Sequence, residues 1–390
     1  MFTDYFFPEL GGIQDSIATI SRALALRGYQ VDIYAPAYGA SDYRRIGAPM
    51  RERDLGDRVR VRRRPSLPFP SSTRQSRAAL PSPIGPAILA KKARPDVIHV
   101  HSFFGIGLEA LLNGRFLKIP VIGTNHTTVA GFRGHMPVSV ARAAAYVTWF
   151  YNHCAYITAP SRSVFEELGL AKLRRPHGVV SNPIDTGLFK PLPAGERDAL
   201  RARFGLTGPT ITYAGRLGPE KNIEVLLQAV AALRHRGVVT ELAIAGHGSH
   251  EPLLRTLAAD LGIDGVVRFM GTLPQRNLAQ LLQISDTFAM MSTSETQSMV
   301  LLQAMASGVP VVAAASRALP EFVGPGNGIL VDPDDPAALA RVLDDLLAAP
   351  EQRLRLGSGG RTSAEKFAVE TVTDEWETLY RSVLQGSVAA

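Results

Sequence analysis

The chain has 390 residues, of which 46% are hydrophobic and 20% are charged, so it has enough apolar side chain for two ordinary cores and is not a disordered or fibrous protein. Residues 1–190 hold 25 basic and 13 acidic side chains, a net charge of +12, whereas the remainder holds 17 and 22, a net charge of −5. We therefore expect the N-terminal half to be attracted to an anionic partner and the C-terminal half not to be.

Several classes of protein are excluded by simple counts. The single cysteine, Cys154, rules out an intrachain disulfide and a cysteine-built zinc site, which fits a reducing cytosol. The longest apolar stretch, Met299 to Ala315, is interrupted by polar residues and proline, whereas about 20 consecutive apolar residues are needed to span a bilayer. The opening MFTDYFFPEL lacks the basic region of a cleavable signal.

The first half alternates strand and helix patterns. Phe2–Tyr5 predicts the end of a strand, and apolar residues at helical spacing predict a helix over Ile13–Arg27. Further strands are predicted at Val31–Ala35, Asp96–Val100, Pro120–Thr124 and Tyr156–Ala159. This alternation is typical of a parallel sheet covered on both faces.

A second alternating series follows residues 191–207, whose prolines, glycine and charges predict a linker. It predicts helices at Asn222–Arg236 and Val300–Ser307, and strands at Thr210–Ala214, Glu241–Ala245, Val266–Met270, Thr287–Met291 and Val309–Ala313. We therefore expect an α/β protein with two doubly wound, Rossmann-like domains, residues 1–190 and 208–368, facing a central cleft. The last segment, residues 369–390, contains a predicted helix, Val372–Leu384, that is expected to pack against the first domain.

The segment 44–77 contains eleven arginines and three acidic residues. One interpretation is a solvated loop and strand with an exposed basic face. The other is a landing patch for anionic lipid head groups, where each cation contributes about 1 kcal/mol. The second assigns acceptor or membrane contacts to Arg62, Arg63, Arg64 and Phe132. The aromatic run Tyr146–Tyr156 predicts a core helix or an interfacial one.

Two loops of the second domain follow strands, which is where open α/β sheets bind ligands. In YAGRLGPEKN, Arg216 and Lys221 lie between a strand and a helix, so two cations and helix-terminal amides suit a diphosphate. Two surface cations are the alternative. In AGHGSH, Gly246 would let the backbone approach a ligand closely.

A third loop, Ser292–Ala313, carries the most specific pattern. Glu295 precedes a helix predicted to begin near Thr296, Gln297 and Ser298, so its carboxylate lies beside unpaired backbone amides. Gln303 follows two helical turns later, on about the same face. Amides can hold phosphate while carboxylate and amide side chains recognise hydroxyls, so one site is expected to bind both halves of a nucleotide sugar.

These motifs together resemble those of retaining glycosyltransferases of the GT-B fold, in the large family 4 (group 1) that uses nucleotide-activated sugars. The resemblance covers nearly the whole chain and rests on GGI (11–13), DVIHVH (96–101), TNH (124–126), SNPIDTGLFKP, GRLGPEKN and the acidic loop followed by AMASGVPVV. It implies that Arg216 and Lys221 bind the donor diphosphate. The amides near Gly11 and Gly12 and those of residues 296–298 would complete that site.

The resemblance also implies roles for single side chains. Glu295 would bind donor-sugar hydroxyls, and His126 would hydrogen-bond the sugar from the opposite domain. The family usually has a second Glu, which contacts the ribose, where this chain has Gln303. Gln forms hydrogen bonds but carries no charge, so the difference predicts an altered donor preference or reduced activity. His101 suits a structural or a ligand role. The histidines His135, His247 and His250 are interpreted as surface or loop residues.

The expected chemistry needs neither metal nor cofactor. Fixed cations and helix dipoles stabilise the charge that develops on the leaving diphosphate, and Asp332, Asp334 and Asp335 lie in a proline-rich loop rather than in a metal-binding context. The favoured donor is UDP-glucose, with GDP-mannose next. Retention, in which the leaving phosphate helps to deprotonate the acceptor, is implied by the resemblance.

The expected function is transfer of a hexose, with glucose favoured, to a lipid such as diacylglycerol by a cytoplasmic enzyme at the inner face of the cell membrane. It rests on the basic N-terminal half and on ETQS, which resembles a loop of diacylglycerol glucosyltransferases. Alternatives are a soluble or polysaccharide acceptor, and a catalytically weak nucleotide-sugar-binding protein. Nucleic-acid binding is suggested by the pI of about 9.6, but no nucleic-acid-binding module accompanies it.

Overall fold

The computed structural model describes residues 1–68, 77–82, 94–127, 139–193 and 195–386. The chain forms two compact units, unit 1 from Met1–Pro183 and Val369–Ala390, and unit 2 from Ile184–Ala368. The chain therefore passes from unit 1 to unit 2 after Pro183, seven residues before the predicted boundary at residue 190.

Unit 1 is built on parallel strands. Its described strands are β1 (Val31–Pro36), β2 (Val59–Arg64), β3 (Ser66–Pro68), β4 (Arg77–Ala79), β5 (Ile98–Val100), β6 (Val121–Thr124), β7 (Tyr156–Ala159) and β8 (His177–Val179). Strands β5-β6-β7-β8 form one parallel sheet and β1-β2 a parallel pair, while β3 and β4 pair antiparallel. The predicted strand Phe2–Tyr5 is reduced to bridges from Phe2 to Tyr34 and to Val100, which join β1 to β5.

Helices cover the strands of unit 1. They are α1 (Gly12–Leu26), α2 (Ala40–Arg45), α3 (Gly105–Leu117), α4 (Val140–Tyr151) and α5 (Arg162–Leu168). Helix α4 contains the first part of the aromatic run, residues 146–151, and Phe150 and Tyr151 are fully buried in a core cluster with Phe103. The core interpretation therefore describes this part of the helix, although Trp149 is 47% exposed.

Unit 2 is a six-stranded parallel sheet with the order β11-β10-β9-β12-β13-β14. The strands are β9 (Thr210–Ala214), β10 (Glu241–Ala245), β11 (Val267–Gly271), β12 (Thr287–Met290), β13 (Val311–Ala314) and β14 (Gly328–Val331). The helices are α6 (Arg197–Arg203), α7 (Ile223–His235), α8 (Glu251–Asp260), α9 (Gln275–Ile284), α10 (Met299–Ala306), α11 (Leu319–Phe322), α12 (Pro336–Ala348) and α13 (Pro350–Ala364). The strand order reverses between β9 and β12, which is where a doubly wound sheet opens a crevice for ligands.

The segment 191–207, predicted to be a linker, is instead part of unit 2. It contains α6, and Leu200 and Leu206 are buried in the core of that unit. Arg197 and Arg201 of this helix both form ion pairs with Asp286. The prolines and charges that suggested a linker therefore belong to a packed element.

The two ends of unit 2 meet. Ile184 and Ala368 form a parallel bridge, and the Ile184 amide donates to the Phe367 carbonyl at 2.7 Å. Arg361 adds hydrogen bonds from its guanidinium to the carbonyls of Thr186, Phe189 and Ala306.

The last helix, α14 (Val369–Gln385), belongs to unit 1 and packs against α1. Its apolar face buries Val372, Trp376, Leu379 and Tyr380. Arg27, at the end of α1, reaches Asp374 at 2.5 Å and Glu377 at 3.0 Å. None of the helices in the described ranges combines the length and the apolar character that a membrane span requires.

The predicted basic face of β2 is matched by acidic side chains within unit 1. Arg62 lies 3.1 Å from Asp32, Arg63 lies 2.7 Å from Glu52, and Arg64 lies 2.6 Å from Glu109. The three arginine side chains are only 15–24% exposed. Neither a solvated basic face nor a lipid landing patch describes these three residues, because their charges are already paired. Phe132, assigned with them, lies outside the described residues.

Aromatic rings form cation–π contacts with two of these arginine side chains. The Arg64 guanidinium lies 4.7 Å from the centre of the Tyr34 ring, and that of Arg63 lies 5.6 Å and 5.5 Å from the rings of Phe6 and Tyr38. Arg63 also donates to the carbonyls of Phe7 and Pro36. These guanidinium groups hold β2 against neighbouring elements of unit 1. A lysine could not do the same, because its ammonium lacks the planar shape that stacks on a ring and donates several hydrogen bonds at once.

Replacing Glu109 by Leu is expected to destabilise unit 1 by about 3–5 kcal/mol, because Arg64 then keeps a poorly solvated charge without its partner. The double variant Arg64→Met/Glu109→Leu removes both charges and should recover most of the loss. Calorimetry of the full chain measures both. Equal losses in the single and double variants would contradict a stabilising pairing at this position.

Candidate functional site

The loops after β9 and β12 meet at the switch point of the unit 2 sheet. Lys221 Nζ donates to Glu295 Oε1 at 2.6 Å, and the two side chains are only 14% and 12% exposed. A backbone hydrogen bond from Thr293 to the Glu220 carbonyl, at 3.1 Å, holds the loops together. The structure therefore brings the cation and the carboxylate of two predicted motifs into direct contact.

Glu295 is an ionised carboxylate at neutral pH. Burial raises its pKa, but the charge of Lys221 and hydrogen bonds from Lys221 and Ser292 lower it more, so the pKa lies below its ordinary value. An ionised carboxylate has acceptor capacity beyond one ammonium donor. The pair can therefore offer acceptor oxygens to hydroxyl groups while the ammonium offers further donors to an anion.

Arg216 lies in the same loop but in a more open position. Its side chain is 50% exposed and lies 2.5 Å from Glu220, four residues later. Its backbone carbonyl accepts a hydrogen bond from the buried Tyr213 hydroxyl at 2.9 Å. The backbone of the loop is thus held by the buried Tyr213 hydroxyl, while the Arg216 guanidinium reaches solvent.

The helix after Glu295 begins at Met299, between the predicted starts near residues 296–298 and at Val300. Ser298 is the N-cap of α10, in the left-handed region at φ 67°, and its hydroxyl accepts from the Leu301 amide at 3.4 Å. The amides of the first helical turn thus begin at Met299, whereas Thr296 and Gln297 lie in the preceding loop. Gln297 is only 1% exposed, so its side chain contributes to the packing of this loop.

Gln303 lies within α10 and is 6% exposed. Its backbone carbonyl accepts hydrogen bonds from the amide and the hydroxyl of Ser307. The predicted contact of its side chain with a ribose stays a prediction.

The close approach of a neighbouring loop requires glycine at residue 246. A Cβ at this residue, whose φ is +144°, would lie 1.8 Å from the Gly215 carbonyl oxygen. The Gly215 amide donates to the Ala245 carbonyl, and the Leu217 amide to the His247 carbonyl. In the structure the backbone of Gly246 approaches the backbone of Gly215 and shapes the loop carrying Arg216 and Lys221. The predicted approach of this backbone to a ligand stays a prediction.

Two residues that the sequence did not assign to the site, Asn222 and His250, form hydrogen bonds that hold the segment following Lys221. Asn222 adopts the left-handed conformation at φ 52° and donates to the Pro333 carbonyl at 2.7 Å. His250, interpreted as a surface residue, hydrogen-bonds Glu224 at the start of α7. The Asn that ends GPEKN was a usable signal, because Asn tolerates this backbone conformation better than most residues.

The histidine motifs of unit 1 come together. His126 Nε2 lies 3.1 Å from His101 Nδ1, and both rings are buried. Burial lowers the pKa of His126 from 6.5 to about 4, so this ring is neutral at pH 7. It can therefore exchange hydrogen bonds with a ligand but cannot supply a positive charge.

Gly11 and Gly12 lie at the start of α1 in unit 1, Gly11 as the N-cap with an extended backbone. A Cβ at Gly11 would meet only the flexible end of the Gln14 side chain, at 2.8 Å. Their predicted part in the diphosphate site stays a prediction. Within the ranges that the structure describes, no group of three or more His, Cys, Asp or Glu side chains is placed to hold a metal ion.

Comparison with known proteins identifies the family. Residues 196–363 match Glycosyl transferases group 1, and residues 10–188 match Glycosyltransferase Family 4. The chain is 31% identical over 402 residues to a D-inositol 3-phosphate glycosyltransferase of Frankia alni, with 97% of this chain and 94% of the relative covered. The chain belongs to this glycosyltransferase family. It therefore binds a nucleotide-sugar donor and an acceptor, and transfers the sugar between them.

Other relatives of this glycosyltransferase differ in what their names say they act on. A GDP-mannose-dependent alpha-mannosyltransferase of Mycolicibacterium smegmatis is 31% identical, with 97% of this chain and 96% of the relative covered. An alpha-monoglucosyldiacylglycerol synthase of Streptococcus pneumoniae is 28% identical, with 80% and 70% covered.

Solved structures confirm the predicted GT-B fold of the glycosyltransferase. A sucrose-phosphate synthase from Thermosynechococcus elongatus matches with a TM-score of 0.78 at 20% identity, covering 99% of this chain and 96% of that one. An Anabaena protein solved in complex with UDP matches with a TM-score of 0.75 at 19% identity, covering 98% and 100%.

Gly246→Ala is expected to destabilise unit 2 by more than about 2 kcal/mol, because the added methyl meets a backbone carbonyl and the backbone angle is strained for any L side chain. Gly265→Ala is the matched control, since a Cβ there meets no atom within 4 Å. Thermal unfolding of both variants measures the difference. Equal transition temperatures would show that the two loops separate without cost.

The stability of unit 1 is expected to fall as the pH drops from 6.5 towards 4. Below pH 6.5 an unfolded histidine binds a proton, whereas His126 stays neutral until about pH 4, so protons favour unfolding by up to about 1.4 kcal/mol per pH unit. Burial lowers the pKa values of His99 and His101 in the same direction.

Urea unfolding followed by tryptophan fluorescence at several pH values measures this slope, since Trp149 and Trp376 both lie in unit 1. His126→Asn should flatten it, and His247→Asn, which removes a side chain 77% exposed in unit 2, should leave it unchanged. The same slope in all three proteins would contradict the low pKa of His126.

Proposed function

We propose that the protein transfers a hexose, with glucose favoured, from a nucleotide diphosphate sugar with retention at the anomeric carbon and without a metal ion or cofactor. The Lys221–Glu295 pair carries the proposal, because it places a phosphate-binding cation and a hydroxyl-binding carboxylate 2.6 Å apart at the switch point of the sheet. UDP is the favoured nucleotide, and the Anabaena protein of the same fold solved with UDP supports it. GDP-mannose is the second candidate, from the name of the Mycolicibacterium relative.

The proposed step breaks the bond between the anomeric carbon and the diphosphate oxygen. The acceptor oxygen bonds to the same face of the sugar, and its proton passes to an oxygen of the leaving diphosphate. Lys221, joined by Arg216, stabilises the negative charge that grows on that diphosphate. Glu295 holds sugar hydroxyls, and the neutral His126 contributes a hydrogen bond to the sugar.

Lys221→Ala is expected to lower the transfer rate about 10²–10³-fold, because the developing phosphate charge loses its buried cation. Glu295→Gln should weaken sugar binding while it retains affinity for the free nucleoside diphosphate. Arg276→Ala, which removes an exposed cation on α9, is the matched control and should behave as wild type.

Nucleotide release from UDP-glucose and GDP-mannose, with and without chelator, is the assay. Equal background release by wild type and by both site variants would overturn the proposed enzyme and leave a sugar-nucleotide-binding protein. Loss of activity with chelator, restored by a divalent metal, would overturn the metal-independent mechanism.

For the acceptor we propose a lipid such as diacylglycerol, used at the inner face of the cell membrane. The name of the Streptococcus relative supports a lipid acceptor, and the net charge of +12 in residues 1–190 supports an anionic surface. The names of the Frankia relative and others favour a second candidate, an inositol phosphate, whose phosphate the same positive charge would attract. Screening both acceptors with both donors, and weighing the products, decides between them.

Binding to anionic vesicles is expected to weaken steeply as salt rises from about 0.05 M to about 0.5 M, since surface charges are screened over that range. Because Arg62, Arg63 and Arg64 are paired, the contacts are expected from exposed basic side chains. Arg44, Arg51 and Arg60 are exposed. Sedimentation with vesicles should show weaker binding for the triple variant Arg44→Ala/Arg51→Ala/Arg60→Ala. Absent or salt-independent binding would leave the soluble acceptor as the better candidate.

A further inference from the structure

Three buried histidine rings stack against one another in unit 1. The ring centres of His99 and His101 are 3.9 Å apart, and those of His101 and His126 are 5.4 Å apart. His99 comes from β5, His101 follows that strand, and His126 follows β6. The sequence assigned a substrate contact to His126, left the role of His101 open and assigned none to His99, so the other two rings need an explanation.

His99 is held through both of its ring nitrogens. Nδ1 lies 2.8 Å from the Tyr380 hydroxyl of α14, and Nε2 lies 2.6 Å from the Thr124 hydroxyl. Thr124 in turn lies 2.6 Å from the Thr158 hydroxyl on β7. His99 is therefore a fixed surface on which the His101 ring rests.

His101 is held differently. Its Nδ1 lies 3.1 Å from His126 Nε2, while its Nε2 is buried and has no hydrogen-bond partner among the residues that the structure describes. The whole residue is 7% exposed. Buried polar atoms nearly always have a hydrogen-bond partner. The unpartnered Nε2 of His101 therefore constrains which nitrogen of that ring carries the proton.

We propose that His101 is a positioning residue that holds His126 in the tautomer with its proton on Nδ1. The proposal rests on the proposed function for its consequence, because it assigns the atom by which His126 would contact the donor sugar. Each neutral imidazole carries one N–H, so the 3.1 Å contact has two possible proton arrangements.

In the first arrangement, His101 donates from Nδ1, and the unpartnered Nε2 of His101 is a bare lone pair. His126 then accepts at Nε2 and carries its own proton on Nδ1. In the second, His126 donates from Nε2, and His101 carries its proton on Nε2, as a buried N–H group without an acceptor. An orphaned buried N–H group is the rarer of the two defects, so the first arrangement is favoured.

The consequence is a defined role for His126. Its Nδ1–H donates to a hydroxyl oxygen of the sugar, and it does not serve as a general base, because its only lone pair is occupied by His101. The partner of one ring nitrogen commonly sets the tautomer of the other in this way.

The decisive measurement is ¹⁵N NMR of the histidine rings at pH 7, which distinguishes a protonated from a bare ring nitrogen and needs no substrate. His126→Asn assigns the signals of that ring by their loss. The expected spectrum has a proton on Nδ1 and none on Nε2 of His126. A proton on Nε2 overturns the proposal, whatever the protein transfers.

Two variants of His101 provide a second test. An Asn side chain can place its amide N–H near the position of Nδ1, whereas a Gln amide extends to the position of Nε2. His101→Gln is expected to lower kcat/KM by about 10–100-fold and to let both tautomers of His126 appear in the spectrum. His101→Asn should restore most of that loss and keep the proton on Nδ1.

Both variants are compared with His247→Asn, which changes a histidine of unit 2. Equal losses of kcat/KM in the Asn and Gln variants, with the tautomer of His126 unchanged, would show that His101 is only a packing residue. If the wild-type spectrum has the expected tautomer and no donor is turned over, the inference about His101 stands and the proposed transfer fails.

Discussion

The site in unit 2 depends on how closely two backbone loops approach each other. Gly246 lies against the Gly215 carbonyl with no room for a side chain, so the path of the loop after β9 depends on the neighbouring loop as well as on its own residues. Asn222 closes the far end of that loop on the Pro333 carbonyl. Lys221 lies between these two restraints. They place its ammonium against Glu295, a residue 74 positions later in the sequence. The ion pair is the result of this backbone arrangement.

The positive charge of unit 1 has a different meaning from the one its sequence suggested. Arg62, Arg63 and Arg64 are used to bind β2 to acidic residues on other elements, with aromatic rings beneath two of the guanidinium groups. The net charge of +12 in residues 1–190 therefore overstates the positive charge that is exposed on the surface of unit 1. The exposed remainder, such as Arg44, Arg51 and Arg60, is what an anionic partner would meet.

From Val31 onward, each strand that the sequence predicted lies within two residues of an observed one, because apolar runs between turn residues are a local signal. The strands β3, β4, β8 and β14 were not predicted. It also selected Lys221 and Glu295, whose positions after strands indicate a common sheet edge. It could not predict the partners of the β2 arginines, since Asp32 and Glu109 come from distant elements. Helix α13 illustrates the same limit: Gly357 and Gly359 weaken helix propensity, yet each allows close contact with a carbonyl, of Gly308 and Gly326 respectively.

The order of the chain makes unit 2 an insertion. It begins at Ile184 and ends at Ala368, two residues that bridge each other, and the chain then returns to complete the core of unit 1 with Trp376. Helix α14, which follows unit 2 in the chain, therefore belongs structurally to unit 1. During synthesis unit 2 can form its full set of contacts before the ribosome has supplied the last helix that unit 1 needs, so the half of the protein made first is the half finished last.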